Sequence, residues 1–243
     1  MCGIAGFSFT TTERVSPRVL STTLLNAIEE RGRDATGAAW VQHAGGVPVV
    51  RVSKRAVRAR RYIEAGHLAA MPATTITAIL HTRYATQGSP ENPLNNHPIS
   101  HGPIVGVHNG HLDNDDALFA ALGVERRGEV DSEAAFALLG TTRFRPEQVL
   151  DRLDGRAALA WVDRRRGRSS DLNLARVSGS PLAIGQTVDG SFVFASTIDL
   201  LDDATLAAGV EMDWLDVVPE WSYLRVRRGV ICDSMGIVGK AVA

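Results

Sequence analysis

The chain opens Met1-Cys2-Gly3-Ile4-Ala5-Gly6-Phe7, and Gly3 to Phe9 reads as a short buried strand immediately behind a cysteine. If Met1 is trimmed, Cys2 carries a thiol and a free α-amine on one residue, and its small side chain suits removal of the methionine. A thiolate is a strong nucleophile, and an α-amine with a pKa near 7.7–8.0 can hold or release a proton near neutrality. Nucleophile and base would then share one residue, the logic of N-terminal Thr or Cys catalysis. On these seven residues alone, Cys2 reads more simply as a small residue at the edge of a first strand, so the rest of the chain has to decide.

A length of 243 residues allows one large domain or two small ones with a sizeable core. A net charge of −1 gives no global field to attract nucleic acid or an anionic membrane. Two cysteines, Cys2 and Cys232, are too few for a disulfide scaffold, and no His or Cys spacing reads as a metal site. No apolar run reaches the roughly 18–20 residues that span a bilayer, and no signal-peptide pattern opens the chain. A cytoplasmic, reducing location is therefore expected, with no metal and no cofactor.

The pattern along the chain mixes strands and helices. Ser16-Pro17 is a helix start, and Leu20, Leu24 and Ile28 form one apolar face that Gly32 stops. Residues 37–43 and 47–53 read as a hairpin around Gly45-Gly46, residues 55–70 as a basic helix, and residues 75–82 as a β-branched strand. A turn-dense loop follows over residues 88–98. A strand at residues 104–108 is expected to end in a tight turn at Asn109-Gly110. Helices follow from Asp113–Asp116 to Gly123, from Asp131-Ser132 to Gly140, and from Pro146 to before Gly155. The last third is mostly strands (157–162, 172–177, 182–185, 192–195, 223–226 and 230–232), with polar turns at 163–171 and 189–190 and a helix over 198–208. Two groups of antiparallel strands with helices between them predict an α+β protein, a four-layer α-β-β-α sandwich, as a single domain over residues 1–243.

Five separated segments carry a family likeness: Met1-Cys2-Gly3-Ile4; Arg31-Gly32-Arg33-Asp34-Ala35-Thr36-Gly37; His81-Thr82-Arg83-Tyr84-Ala85-Thr86-Gln87-Gly88; Val107-His108-Asn109-Gly110; and Asp131-Ser132-Glu133. In this order the chain resembles the class II glutamine amidotransferases, whose glutaminase domains are N-terminal-nucleophile hydrolases. The likeness is to the glutaminase half of glucosamine-6-phosphate synthase and amidophosphoribosyltransferase, and it runs over essentially the whole chain.

The resemblance implies a chemistry residue by residue. Cys2 attacks the side-chain amide of glutamine, its α-amine shuttles the proton, and a γ-glutamyl thioester forms and is hydrolysed. The side-chain amide of Asn109 and the backbone N–H of Gly110 form the oxyanion hole. Arg83 takes the α-carboxylate, because a guanidinium fork matches it bidentately, and Thr86 assists. Asp131 takes the α-ammonium, shared with the Gly110 carbonyl, and could also cap its helix. Residues 31–34 pack beside the nucleophile, chiefly in a structural role. His97 orients neighbours by hydrogen bonding.

Two positions depart from the synthase pattern: Tyr84 stands where tryptophan is common and Gln87 where histidine is common, which leaves the acceptor and its coupling undefined. The partner is then glutamine or a γ-glutamyl amide. A separate synthase subunit receiving the ammonia, a stand-alone hydrolase of a glutamyl conjugate, and a non-catalytic binding module are the three readings, in that order. The basic stretch Arg51, Lys54, Arg55, Arg58, Arg60 and Arg61 is a docking candidate for such a subunit, or more simply a solvated helix face.

Overall fold

The computed structural model describes residues 1–12, 14–141, 144–165 and 167–236; positions 13, 142, 143, 166 and 237–243, including one position of the turn at 163–171 and the end of the expected 1–243 domain, lie outside the described residues. The strands are β1 (Gly3–Ser8), β2 (Ala35–Ala44), β3 (Val47–Arg55), β4 (Thr77–Arg83), β5 (Ile99–His101), β6 (Ile104–Leu112), β7 (Gly155–Asp163), β8 (Leu172–Arg176), β9 (Ala183–Thr187), β10 (Phe192–Ala195), β11 (Met212–Val217), β12 (Ser222–Arg227) and β13 (Val230–Met235). The helices are α1 (Pro17–Ile28), α2 (Ala59–Glu64), α3 (Asp115–Leu122), α4 (Ser132–Gly140), α5 (Pro146–Leu150) and α6 (Ile198–Ala207).

The strands form two antiparallel sheets, one in the order β11-β9-β10-β1-β4-β2-β3 and the other β13-β12-β8-β7-β6-β5. Alternation of side chains along each strand divides the apolar residues into three cores. Phe7, Leu20, Leu24, Ile28 and Leu201 fill the layer between the first sheet and α1 and α6. Leu118, Phe136, Leu150 and Leu159 fill the layer between the second sheet and α3, α4 and α5. Ile4, Ile79, Val105, Val107 and Phe194 fill the space between the sheets. This is the α-β-β-α sandwich the strand and helix pattern calls for. The start of α1 follows its sequence signals, with Ser16 Oγ accepting from the Val19 N–H and Pro17 in the first turn.

Several local features differ from the sequence pattern. Asn109-Gly110 is not a turn: β6 runs through it to Leu112, with Asn109 opposite Ala158 and Gly110 opposite Ala157. Gly110 sits at φ +153°, and a Cβ there would lie 1.8 Å from the Arg156 carbonyl oxygen, so the glycine serves a close approach of two strands. The basic helix over 55–70 shrinks to α2, because β3 extends to Arg55 and Gly66, at φ +73°, closes a turn just past the helix. Strand β11 escapes the pattern because a register shift between Met212 and Trp214 breaks its two-residue alternation. The basic stretch is also not one face: Arg51, Lys54 and Arg55 lie on β3, Arg58 precedes α2, and Arg60 and Arg61 lie on it.

Candidate active site

Strand parity decides which side chains look into the space between the sheets. On β1, Ile4 belongs to the inter-sheet core and Ala5 and Phe7 to the core under the helices, so Cys2 continues the inner row. On β4, Ile79 is inner, and His81 and Arg83 follow in step. On β6, Val105 and Val107 are inner, and Asn109 follows. Gly3 pairs with Thr82, so Cys2 and Arg83 emerge at the same end of neighbouring strands. The two sheets are tied at this end by His81, whose Nε2–H donates to the His108 carbonyl at 3.1 Å, one residue before Asn109. Cys2 and Arg83 on the first sheet and Asn109 on the second, far apart in sequence, therefore all look into the space between the sheets at one end of the sandwich.

Cys2 is partly exposed, and its Sγ donates to the Tyr84 carbonyl at 3.7 Å. Burial pushes its thiol pKa up; the positive chain terminus and Arg83 pull it down, and Asp131 pushes it up. The thiol thus lies within the field of both charged groups assigned to substrate. Met1 is 62% exposed, and Arg31 Nε donates to the Cys2 carbonyl at 3.0 Å, holding the first strand's entry in place. Asp34 accepts from the Ala85 N–H at 2.7 Å, and a side chain at Gly32 would strike the Arg83 backbone at 2.4 Å. Residues 31–34 accordingly pack against both Cys2 and the start of the loop after β4.

Asn109 is 1% exposed, and its Nδ2 has no hydrogen-bond partner. An unpaired buried amide costs about 1–3 kcal/mol, so such a donor on the inner row is a group reserved for something else. Arg83 is 3% exposed, yet its fork meets only neutral acceptors: Asn96 Oδ1 at 2.9 Å, Gln87 O at 2.5 Å and Gly88 O at 2.8 Å. A buried guanidinium with no carboxylate at hydrogen-bond distance among the described residues suits an anionic ligand. Thr86 sits exposed in the loop that Arg83 anchors.

Asp131 does not cap α4. Its Oδ2 accepts from the Leu112 N–H at 2.7 Å, which bends the carboxylate toward the end of β6, beside His111 Nδ1 at 3.8 Å and His108 Nδ1 at 3.9 Å. His108 itself is fixed from the helix side, with Nδ1 2.8 Å from Ser132 Oγ and Nε2 donating to the Arg156 carbonyl at 3.3 Å. His97 makes none of the hydrogen bonds expected of it: it stacks on His81 with ring centroids 4.1 Å apart, and both of its ring nitrogens are unpartnered. Burial lowers the pKa of His81 to about 3 and that of His97 well below its ordinary value, so neither ring carries charge at neutral pH.

Sequence reasoning missed Asn96, which holds Arg83, and Lys54, which holds the Asn96 backbone; Asn96 stood in a turn-rich run that hid its contact, and Lys54 in a charge run. Among the described residues, no group of three or more His, Cys, Asp or Glu is arranged to hold a metal, and no helix is long and apolar enough to cross a membrane.

A family model described as a glutamine amidotransferase domain matches residues 81–203. The glutamine–fructose-6-phosphate aminotransferase (isomerizing) of Caulobacter vibrioides is 33% identical over 196 residues, covering 76% of this chain and 30% of the relative. The enzyme of the same name from Escherichia coli K12 is 31% identical over 214 residues, covering 83% and 32%. The chain thus spans about a third of the length of these curated relatives. Among solved structures, the glutamine phosphoribosylpyrophosphate amidotransferase of B. subtilis aligns with a TM-score of 0.72 at 21% identity, over 96% of this chain and 49% of that one. A glutamine aminotransferase class-II domain protein from Silicibacter pomeroyi aligns with a TM-score of 0.54 at 15% identity, over 93% and 95%. At these identities the structural likeness is one of fold.

Proposed function

The chain belongs to the class II glutamine amidotransferases, and from that premise we propose that it hydrolyses the side-chain amide of glutamine to glutamate and ammonia through a γ-glutamyl thioester on Cys2. With Met1 removed, the Cys2 α-amine takes the thiol proton as sulfur attacks the amide carbon. The tetrahedral oxyanion accepts from Asn109 Nδ2–H and the Gly110 N–H. As the C–N bond breaks, the same amine returns a proton to the departing ammonia. Water then attacks the thioester, the amine again accepting and returning the proton, and glutamate leaves with the thiol restored. Arg83 binds the α-carboxylate by exchanging loop carbonyls for a charged partner, Thr86 lies beside that carboxylate, and Asp131 binds the α-ammonium.

The observation that carries this reading is the buried, partnerless Nδ2 of Asn109, on the inner row of the sheet that faces the one carrying Cys2. An oxyanion donor is worth about 3–4 kcal/mol in the transition state, enough to offset its unpaired resting state. The ammonia is assigned to a synthase module outside these residues, in keeping with relatives roughly three times as long.

The test is Cys2→Ala. It should remove glutamine hydrolysis by roughly four orders of magnitude or more while leaving the thermal midpoint within a few degrees. Intact mass of the active wild-type protein should show Met1 gone; full activity with Met1 retained would refute the α-amine as proton shuttle. Assays on glutamine and on a panel of γ-glutamyl amides separate the readings. Rapid turnover of one conjugate with glutamine ignored would replace the amidotransferase reading with a dedicated amide hydrolase.

A further inference from the structure

Gly37 on β2 has no room for a side chain: a Cβ would lie 2.0 Å from the His97 carbonyl oxygen. The segment 96–98 therefore rests directly on β2. Lys54 is the ladder partner of Gly37 on the adjoining β3, and its Nζ donates to the Asn96 carbonyl at 2.7 Å and to the Pro98 carbonyl at 3.1 Å. The clamped residue then reaches inward. Asn96 Nδ2 donates to the Pro90 carbonyl at 2.6 Å, and its Oδ1 accepts from Arg83 Nη1 at 2.9 Å. A continuous run of hydrogen bonds leads from an ammonium at the edge of the first sheet to the buried guanidinium of the site.

We propose that Lys54 is a positioning residue for the glutamine site, its ammonium clamping residues 96–98 onto β2 so that Asn96 holds the Arg83 fork where the substrate carboxylate docks. The inference rests on the glutaminase reading and adds a determinant of glutamine affinity outside the residues that touch substrate. The clamp is a charged group, so it titrates. Burial, and then the like charge of Arg127 on the segment before α4, lower the Lys54 pKa to about 8. The other groups facing this region are Arg55 on β3, Arg83 and His81 on β4, His97 on the clamped segment, His101 on β5, Glu129 on the segment before α4, and Glu133 on α4, which lines the adjoining cleft. His81 and His97 are already neutral there, so among the groups facing the clamp Lys54 is the one whose charge is lost near pH 8.

The experiment is steady-state glutamine hydrolysis by wild type, Lys54→Met and Asn96→Ala between pH 6.5 and 9.5, with a thermal melt of each variant. Wild-type turnover at pH 7 tests the glutaminase reading; the variants test the clamp. At pH 7, Lys54→Met should raise the glutamine KM roughly tenfold, the size of one charge-assisted hydrogen bond, with a kcat change of about twofold or less. The ratio of the Lys54→Met KM to the wild-type KM should fall toward one as pH passes about 8, because the wild-type clamp loses its charge there. Titration of the Cys2 amine and thiol acts in both enzymes alike and cancels in their ratio. Asn96→Ala, which breaks the next link, should raise KM to a similar degree and stands in if Lys54→Met does not fold. A Lys54→Met enzyme with wild-type KM at pH 7, or a KM ratio that holds constant from pH 6.5 to 9.5, would overturn the proposal, as would an Asn96→Ala enzyme with unchanged KM.

Discussion

The inner end of the sandwich and the outer face of the second sheet both gather charged side chains, and they use them in opposite ways. The outer face carries a cleft of about 560 Å3 lined by Trp161, Asp163, Asp171, Asn173, Tyr223 and Arg225, among others. Its groups are mostly satisfied. Asp163 accepts from Arg165 Nε at 2.9 Å on both oxygens, Asp171 accepts from Arg227 at 2.7 and 2.8 Å, and Tyr223 Oη donates to Asn173 at 3.0 Å. Among the described residues lining it, only Arg225 Nε and Glu147 Oε2 are buried without a partner. At the inner end the balance reverses: a thiol, an orphaned amide, two uncharged histidine rings and a guanidinium without a carboxylate lie together. Volume marks where a ligand could sit, but unspent hydrogen-bonding capacity marks where chemistry is supported, because only uncommitted groups can bind more strongly to a transition state than to their own surroundings.

That contrast is sharpest at Asn109. Asn109→Ala should lower kcat by about 10²–10³ with a small change in KM, the effect of losing one oxyanion donor. Because its Nδ2 is unpaired in the resting fold, the thermal midpoint should hold or rise; a large drop would mean the amide is structural and would break the comparison.

Acid should act next, and at the inner end. The folded-state pKa of His81 is about 3 against an ordinary 6.5, and that of His97 is also lowered, so between those limits the unfolded chain binds more protons than the folded one. Stability therefore falls as pH drops below about 6.5, by several degrees in thermal midpoint at pH 5 relative to pH 7. A midpoint unchanged over that range would show that the histidines are not held neutral.

The smallest effect belongs to the outer cleft. Asp171→Asn should cost about 1–2 kcal/mol in urea unfolding, since Arg227 is half exposed and screened. Glutamine kcat and KM should be unchanged; a changed KM would show that the two regions are coupled.

Much of the fold was legible in advance. Alternating and helical apolar periods, Ser16-Pro17, and the glycines at 45–46 and 123 place elements through local propensity, which does not depend on what packs above them. Asn109-Gly110 shows the limit. The dipeptide favours a turn locally, but β7 lies alongside it and extends the ladder through both residues, and the register, not the dipeptide, points Asn109 inward. Asp131 is similar: its position before α4 suggests a cap, and the nearby Leu112 N–H claims the oxygen instead. Lys54 had no signal of its own, since one lysine in a basic run looks like any other until the His97 carbonyl is laid across Gly37.

The sequence by itself determined the chemistry available, a cysteine behind the first methionine and a set of side chains able to grip and polarise an amide, because residue type fixes nucleophilicity, charge and donor count. Tertiary structure decided which of those groups stay uncommitted and face one another, because strand register and the packing of two sheets set parity, burial and partners across more than a hundred residues of chain.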